Sequence, residues 1–214
     1  MIIDHCTGIL RQIEDGKATN WPKMQEAGRD PVTELVYKLL WDKANLRKLK
    51  REALDSCTVC KNGSKLEIIP ADEDKLDALL VSAGQMAATV ASMEQAVSEL
   101  EQIFTDLNIK EPLFKNIEQR ERSILNAIEK AKSEISLAAR RVMHTNRDPM
   151  SPEEVLSDPR YTAIRAEQTL RIEALEKDLA PFQVGRVKAN EILEQFDLLE
   201  IDLTGSHFLV PGAV

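Results

Sequence analysis

Between Leu76 and Leu107 the apolar residues fall at Leu76, Leu79, Ala83, Met86, Val90, Met93, Val97, Leu100, Phe104 and Leu107. The intervals alternate three and four without a miss, which is a heptad seam and predicts a long helix beginning near Asp72. A second seam, Phe114, Ile117, Glu121, Ile124, Ile128, Ala131, Ile135, Ala138 and Val142, predicts a helix from about Glu111 to Thr145, with one polar breach at Glu121. Asn108 to Pro112 separates the two, and so short a connection makes the helices antiparallel neighbours. Leu100, Phe104 and Leu107 are then expected to meet Phe114 and Ile117, and Leu76 to meet Val142. A third helix is predicted from Asp158-Pro159 through Tyr161, Ile164, Ile172, Leu175, Leu179, Phe182, Ala189, Leu193 and Phe196. Gln168 and Arg186 fall on its seam. Pro181 lies inside it, so a kink or break is expected near Ala180.

The first 70 residues read differently. Ile2 to Glu14 carries Ile2, Ile3, Cys6, Ile9, Leu10 and Ile13 on one side of a short helix. Residues 16–31 hold two glycines and two prolines and read as a loop. Asp30-Pro31 opens a helix that runs to about Leu54, with Asp as cap and Pro at the first helical position. Cys57-Thr-Val-Cys60 and Lys65-Leu-Glu-Ile-Ile69 flank Asn62-Gly63, which suits the tight turn of a β-hairpin. Later, Ser151-Pro152-Glu153-Glu154 marks a short helix start. The last residues, from Glu200, read as an extended tail.

The expected fold class is therefore all-α: a long antiparallel coiled-coil helical hairpin, extended to a three-helix bundle, with a small N-terminal helical module that contains a short β-hairpin. The expected domains are 1–70, 71–200 and 201–214. Composition agrees. Aromatic residues are only 4% of the chain against 43% apolar overall, so Leu, Ala and Ile must make the core, as suits helices and not sheets.

Charge changes the picture in one respect. The net charge of −8 is unevenly spread: residues 1–70 carry +2 and the rest −10. An acidic body disfavours nonspecific binding to nucleic acid or anionic lipid. No unbroken apolar run approaches the ~20 residues of a membrane span, and the N-terminus lacks the basic start of a secretory signal. These features, with three cysteines as a poor disulfide framework, predict a cytoplasmic protein with no membrane partner.

The one motif with chemical content is Cys57-x-x-Cys60. Two thiolates so spaced on a turn can chelate zinc. Cys6, His5, His144 and His207 are the other candidate ligands, with at most one of the adjacent His5 and Cys6 joining the same ion; Cys6 with a histidine, or the same pair from a second subunit, could complete four ligands. Two unliganded structural cysteines are the plainer reading, and a redox pair wants a βαβ setting that is missing here. Arg47, Lys48, Lys50 and Arg51 form the best nucleic-acid candidate, against the plainer reading of a solvated helix face. His207-Phe208-Leu209-Val210 is an apolar cluster in the tail, with Phe208, Leu209 and Val210 as candidate partner-docking residues or as residues folded back on the helices. The seam itself reads as core, and Met86 and Met93 as space-filling within it.

No phosphate loop, nucleophile elbow or helical metal-site spacing appears. The reading that follows is a non-enzymatic structural or adaptor protein, a helical rod within a larger assembly such as a virion or secretion or appendage machinery, self-associating or bound to protein partners. The alternative is a zinc-stabilised regulatory or nucleic-acid-associated module using Cys57, Cys60 and the Arg47–Arg51 face. A third is an enzyme with its site between the N-terminal module and the long helices.

Overall fold

Helix α1 (Ile2–Glu14) buries Ile2, Cys6 and Ile9, a spacing of four and three that marks one side of a helix. In this computed structural model the described residues are 1–15, 21–62, 65–145 and 150–198, and they are nearly all helical. Residues 21–28, expected as loop, form α2 (Trp21–Gly28). The two helix-breaking residues sit where they do no harm: Pro22 is in the first turn, where backbone N–H groups lack intrahelical partners anyway, and Gly28 is the last residue.

Helix α3 (Pro31–Asp55) starts as its sequence predicts. Asp30 accepts the Val32 N–H at 3.1 Å and Pro31 occupies the first turn. Val32, Leu35, Val36 and Leu39 are completely buried. Burying such side chains contributes ~1.5–3 kcal/mol each before conformational entropy is subtracted. Thr33 is buried with them, and its hydroxyl donates to the Cys6 sulfur at 3.7 Å, joining α1 to α3.

The hairpin follows directly. Strands β1 (Cys57–Asn62) and β2 (Lys65–Pro70) pair antiparallel, Cys57 opposite Pro70 and Asn62 opposite Lys65. The base is closed by Ala71 N–H donating to the Ser56 carbonyl at 2.9 Å. Asp72 then accepts the Lys75 N–H at 3.1 Å and starts α4 (Glu73–Asp106). That helix ends before Asn108, whose positive φ of 52° is the left-handed stop that asparagine tolerates. Buried positions on α4 are Ala83, Val90, Met93, Ala96, Val97, Leu100 and Phe104, six on the expected seam and Ala96 beside it, concentrated in the second half of the helix.

The structure divides into two units. One holds α1 to α3, the hairpin, α4 up to Thr105, Lys110–Leu113 and the chain from Asn190. The other holds Asp106–Ile109 and Phe114–Ala189. α4 up to Thr105 thus groups with the N-terminal elements. Lys43 of α3 pairs with Glu94 at 2.6 Å, and the Met1 amine with Glu101 at 3.0 Å. In the same unit Ile9, Ala27 and Leu113 form one apolar cluster.

The second unit contains α5 (Phe114–Thr145), α6 (Pro152–Ser157) and most of α7 (Pro159–Glu194). α5 begins at Phe114 and not Glu111, so Pro112 lies ahead of the helix. Its buried positions, Phe114, Ile117, Glu121, Ile128, Ala131, Ala138 and Val142, all belong to the expected seam. Ser151 and Glu154 form a complete capping box at the start of α6: Ser151 Oγ accepts the Glu154 N–H at 3.3 Å, and the Glu154 carboxylate accepts the Ser151 N–H at 2.7 Å. These bonds hold the Glu154 carboxyl below its usual pKa. Asp158, paired with Arg160 at 2.9 Å, is lowered likewise.

Ala138, Val142, Val155 and Tyr161 pack together where α5, α6 and α7 meet. At the other end Arg186 Nε lies 2.6 Å from Glu121 Oε2. The two contacts make α5 and α7 antiparallel. The Arg186 N–H is not aimed at an acceptor, so the Glu121 contact is ionic and not a directed hydrogen bond. The two polar breaches of separate seams thus neutralise one another. The expected break at Ala180 does not occur: α7 is one helix through Pro181. Pro181 is exposed while Leu179, Gly185 and Ala189 are buried, so the proline forfeits one backbone bond on the solvent side and the buried stripe holds the helix together.

The end of α7 returns to the first unit. Leu198 N–H donates to the Leu193 carbonyl at 3.4 Å and Asp197 N–H to the Glu194 carbonyl at 3.1 Å, with Asp197 at φ 55°. This is a Schellman cap with Asp in the usual glycine place, and its two hydrophobic members, Leu193 and Leu198, are both buried. Lys38 of α3 donates to the Phe196 carbonyl at 3.3 Å.

Two outcomes test this account. Glu121→Ala, which strands a half-buried guanidinium, is expected to cost about 1–3 kcal/mol, whereas Glu121→Leu with Arg186→Met should stay within about 1 kcal/mol of the wild type. Chemical denaturation of the three proteins measures both. Burial raises the Glu34 carboxyl pKa, with Lys38 opposing. A carboxyl whose folded pKa is raised favours the folded state below its usual range and loses that contribution as pH rises. Glu34→Gln should therefore gain in thermal midpoint on the wild type as pH rises from about 4 to about 7.

Candidate functional site

The cysteines do not converge. Cys6 is fully buried beside Thr33, and burial pushes its thiol up to about 11. Cys57 donates to the Ala53 carbonyl at 3.3 Å. Thr33 and Ala53 lie twenty residues apart on one unbroken helix, so Cys6 and Cys57 are separated by about 30 Å. Both cannot hold one ion. Cys57 and Cys60 both lie on β1, three positions and about 10 Å apart along the strand. Among the described residues no group of three or more His, Cys, Asp or Glu could hold a metal. His5 lies in α1 with Nε2 buried and unpartnered, and His144 is exposed in the last turn of α5. His207, Phe208, Leu209 and Val210 lie outside the described residues.

Arg47, Lys48, Lys50 and Arg51 are all exposed on the second half of α3. Lys48 comes within 4.0 Å of Glu52, an exposed contact of little energetic weight. Trp41, on the same helix, is also exposed. A shallow open groove on α7 is lined by Thr162, Arg165, Ala166, Thr169 and Leu170, one side of a single helix with one charged residue.

A different feature stands out in the first unit. Leu54 at the end of α3, Ile68 and Ile69 of β2, and Leu80 and Val81 of α4 are all exposed, Ile68 by 68%, Leu80 by 53% and Val81 by 60%. Strand register puts Cys57, Ile68 and Pro70 on one face of the hairpin and Ile69 on the other. A two-stranded ribbon is marginal in water without something packed on it.

Helix α4 is exposed and uncharged over a longer stretch. From Ala78 to Met93 it has no charged residue, in a chain that is 30% charged. It contains an 18-residue window of mean hydropathy 1.3, of which 17% is buried. By length and composition alone it is enough to cross a membrane, which corrects the expectation that no stretch is. That expectation looked for an unbroken run of large apolar residues, whereas here Ala, Gly, Ser and Thr raise the mean by excluding charge. Gly84 sits mid-helix with nothing within 4 Å of where its Cβ would be. A glycine there costs about 1 kcal/mol relative to alanine, and among the described residues nothing uses the space it leaves.

Leu80 and Val81 lie off the heptad seam, so a search for the seam passes over them. The signal that finds them is the missing charge: a helix with one buried stripe should be polar on its other side.

The metal reading has a direct check. Removing metal with a chelator is expected to leave the thermal midpoint unchanged, and Cys57→Ser should leave metal content unchanged. Cys6→Ala should lower stability by about 1 kcal/mol through lost packing, again without altering metal content. Elemental analysis alongside calorimetry measures all three.

No family model, curated protein or solved structure matches this chain.

Proposed function

We propose that this protein is a non-enzymatic structural or adaptor protein that binds a protein partner through exposed apolar residues of β2 and α4. The observation that carries this reading is the uncharged and largely exposed stretch Ala78–Met93. A surface of this kind rarely stays open to water on a monomer and marks an interaction site. In this reading the heptad seams of α4, α5 and α7 work as one coiled-coil rod, an antiparallel three-helix bundle that holds the surface at a fixed place within a larger cytoplasmic assembly, with self-association open to it.

A second reading is favoured by a separate observation: the exposure of Arg47, Lys48, Lys50 and Arg51 together. There the α3 end and the hairpin would contact a phosphate backbone. Retention on DNA or RNA would then fall steeply with salt. The acidic charge of α4, with seven Asp/Glu to one Lys, works against it.

A photo-crosslinking amino acid placed singly at Ile68, Leu80 or Val81, with Glu129 as an exposed control, tests the first reading in the native host. Adducts of protein mass at the three apolar positions and none at Glu129 are expected. Adducts to nucleic acid or lipid alone, or none above the control, would sink it.

A further inference from the structure

The outer face of α4 also says what kind of partner fits. Opposite its buried seam, the helix presents Leu80, Val81, Gly84, Ala88, Ala91 and Gln95, all outside the core. Spaced three and four apart, the last five mark a second heptad stripe on the solvent side. The side chains are small, and the space above Gly84 is open. Such a stripe lets another helix approach closely.

Its ends are acidic. Asp77 lies on this face one turn before Val81, and Glu99 one turn after Gln95. Glu94 is turned to α3, where Lys43 neutralises it. Across the whole of α4 the single base is Lys75.

That charge pattern decides between occupants. A second copy packed antiparallel about Ala88 would set Asp77 against the second copy's Glu99, and a parallel copy would set each acid against itself. Both arrangements bring like charges together and are disfavoured. An anionic bilayer meets the same repulsion.

Resting on the adaptor reading, we infer that the outer face of α4 receives a helix of another protein whose small or apolar stripe is flanked by Lys or Arg residues about 33 Å apart, matching Asp77 and Glu99. The apolar stripe supplies contact, and the basic ends set register and exclude copies of this chain.

The test uses the full-length protein and two synthetic helical peptides of about 26 residues, identical in an Ala/Leu/Gln body and ending in paired Lys or paired Glu. Fluorescence anisotropy at low and moderate salt reads the affinities. The wild type is expected to bind the Lys-ended peptide at least about tenfold more tightly than the Glu-ended one, with the difference shrinking as salt rises. Asp77→Lys with Glu99→Lys should reverse the preference. Ala88→Arg, at an exposed position that leaves the fold intact by circular dichroism, should abolish binding of both. Equal binding of the two peptides, or binding indifferent to Ala88→Arg, overturns the inference. So does a wild type that sediments as a dimer which Ala88→Arg dissociates, and so does Ala88-dependent binding to neutral phosphatidylcholine vesicles without peptide preference. Protein crosslinks from Leu80 or Val81 combined with no peptide preference would reject this partner chemistry and leave the adaptor reading standing. Absence of crosslinks rejects the adaptor reading itself.

Discussion

Three helices of 34, 32 and 36 residues carry this chain, and each has one apolar stripe to bury. With so few aromatic residues the stripes are built from Leu, Ile, Val, Met and Ala. Isolated helices draw little stability from propensity alone and need a packed face to hold them. The seam is therefore the constraint to which the rest conforms. It keeps α7 continuous past Pro181, and two of the polar residues that fall upon it, Glu121 and Arg186, neutralise one another.

The local features were legible in the sequence because their causes are local. Asp30-Pro31 and Ser151-Pro152-Glu153-Glu154 cap helices by bonds to residues two or three positions away, so their chemistry is written in a few letters. The hairpin is legible for the same reason, although Asn62 proves to be the last paired residue of β1 and not part of the connection. Residues 21–28 read as loop because Pro and Gly break helix interiors, whereas here they stand at the two ends of α2, where neither interrupts the backbone bonding.

What was not legible depends on which elements meet. Glu121 and Arg186 each stood out as a breach, but the heptad period says which side of a helix is buried and not which helix faces it. Cys6, Cys57 and Cys60 looked like parts of one ligand set only while the length of α3 was ignored. An unbroken 25-residue helix works as a ruler between the first of them and the others. The exposed α4 surface is hidden by the clarity of the seam: a regular stripe explains nine residues of the helix and draws attention from the uncharged remainder.

The capped end of α7 is pinned at two points. Leu198 is buried beside Leu193, and Lys38 of α3 holds the Phe196 carbonyl. Helix ends ordinarily fray at little cost, but unwinding this one must break an apolar contact and a bond to another helix together. The last turn of α7 is therefore expected to open with the N-terminal elements and not before them, so that amide exchange there would report on the opening of α3.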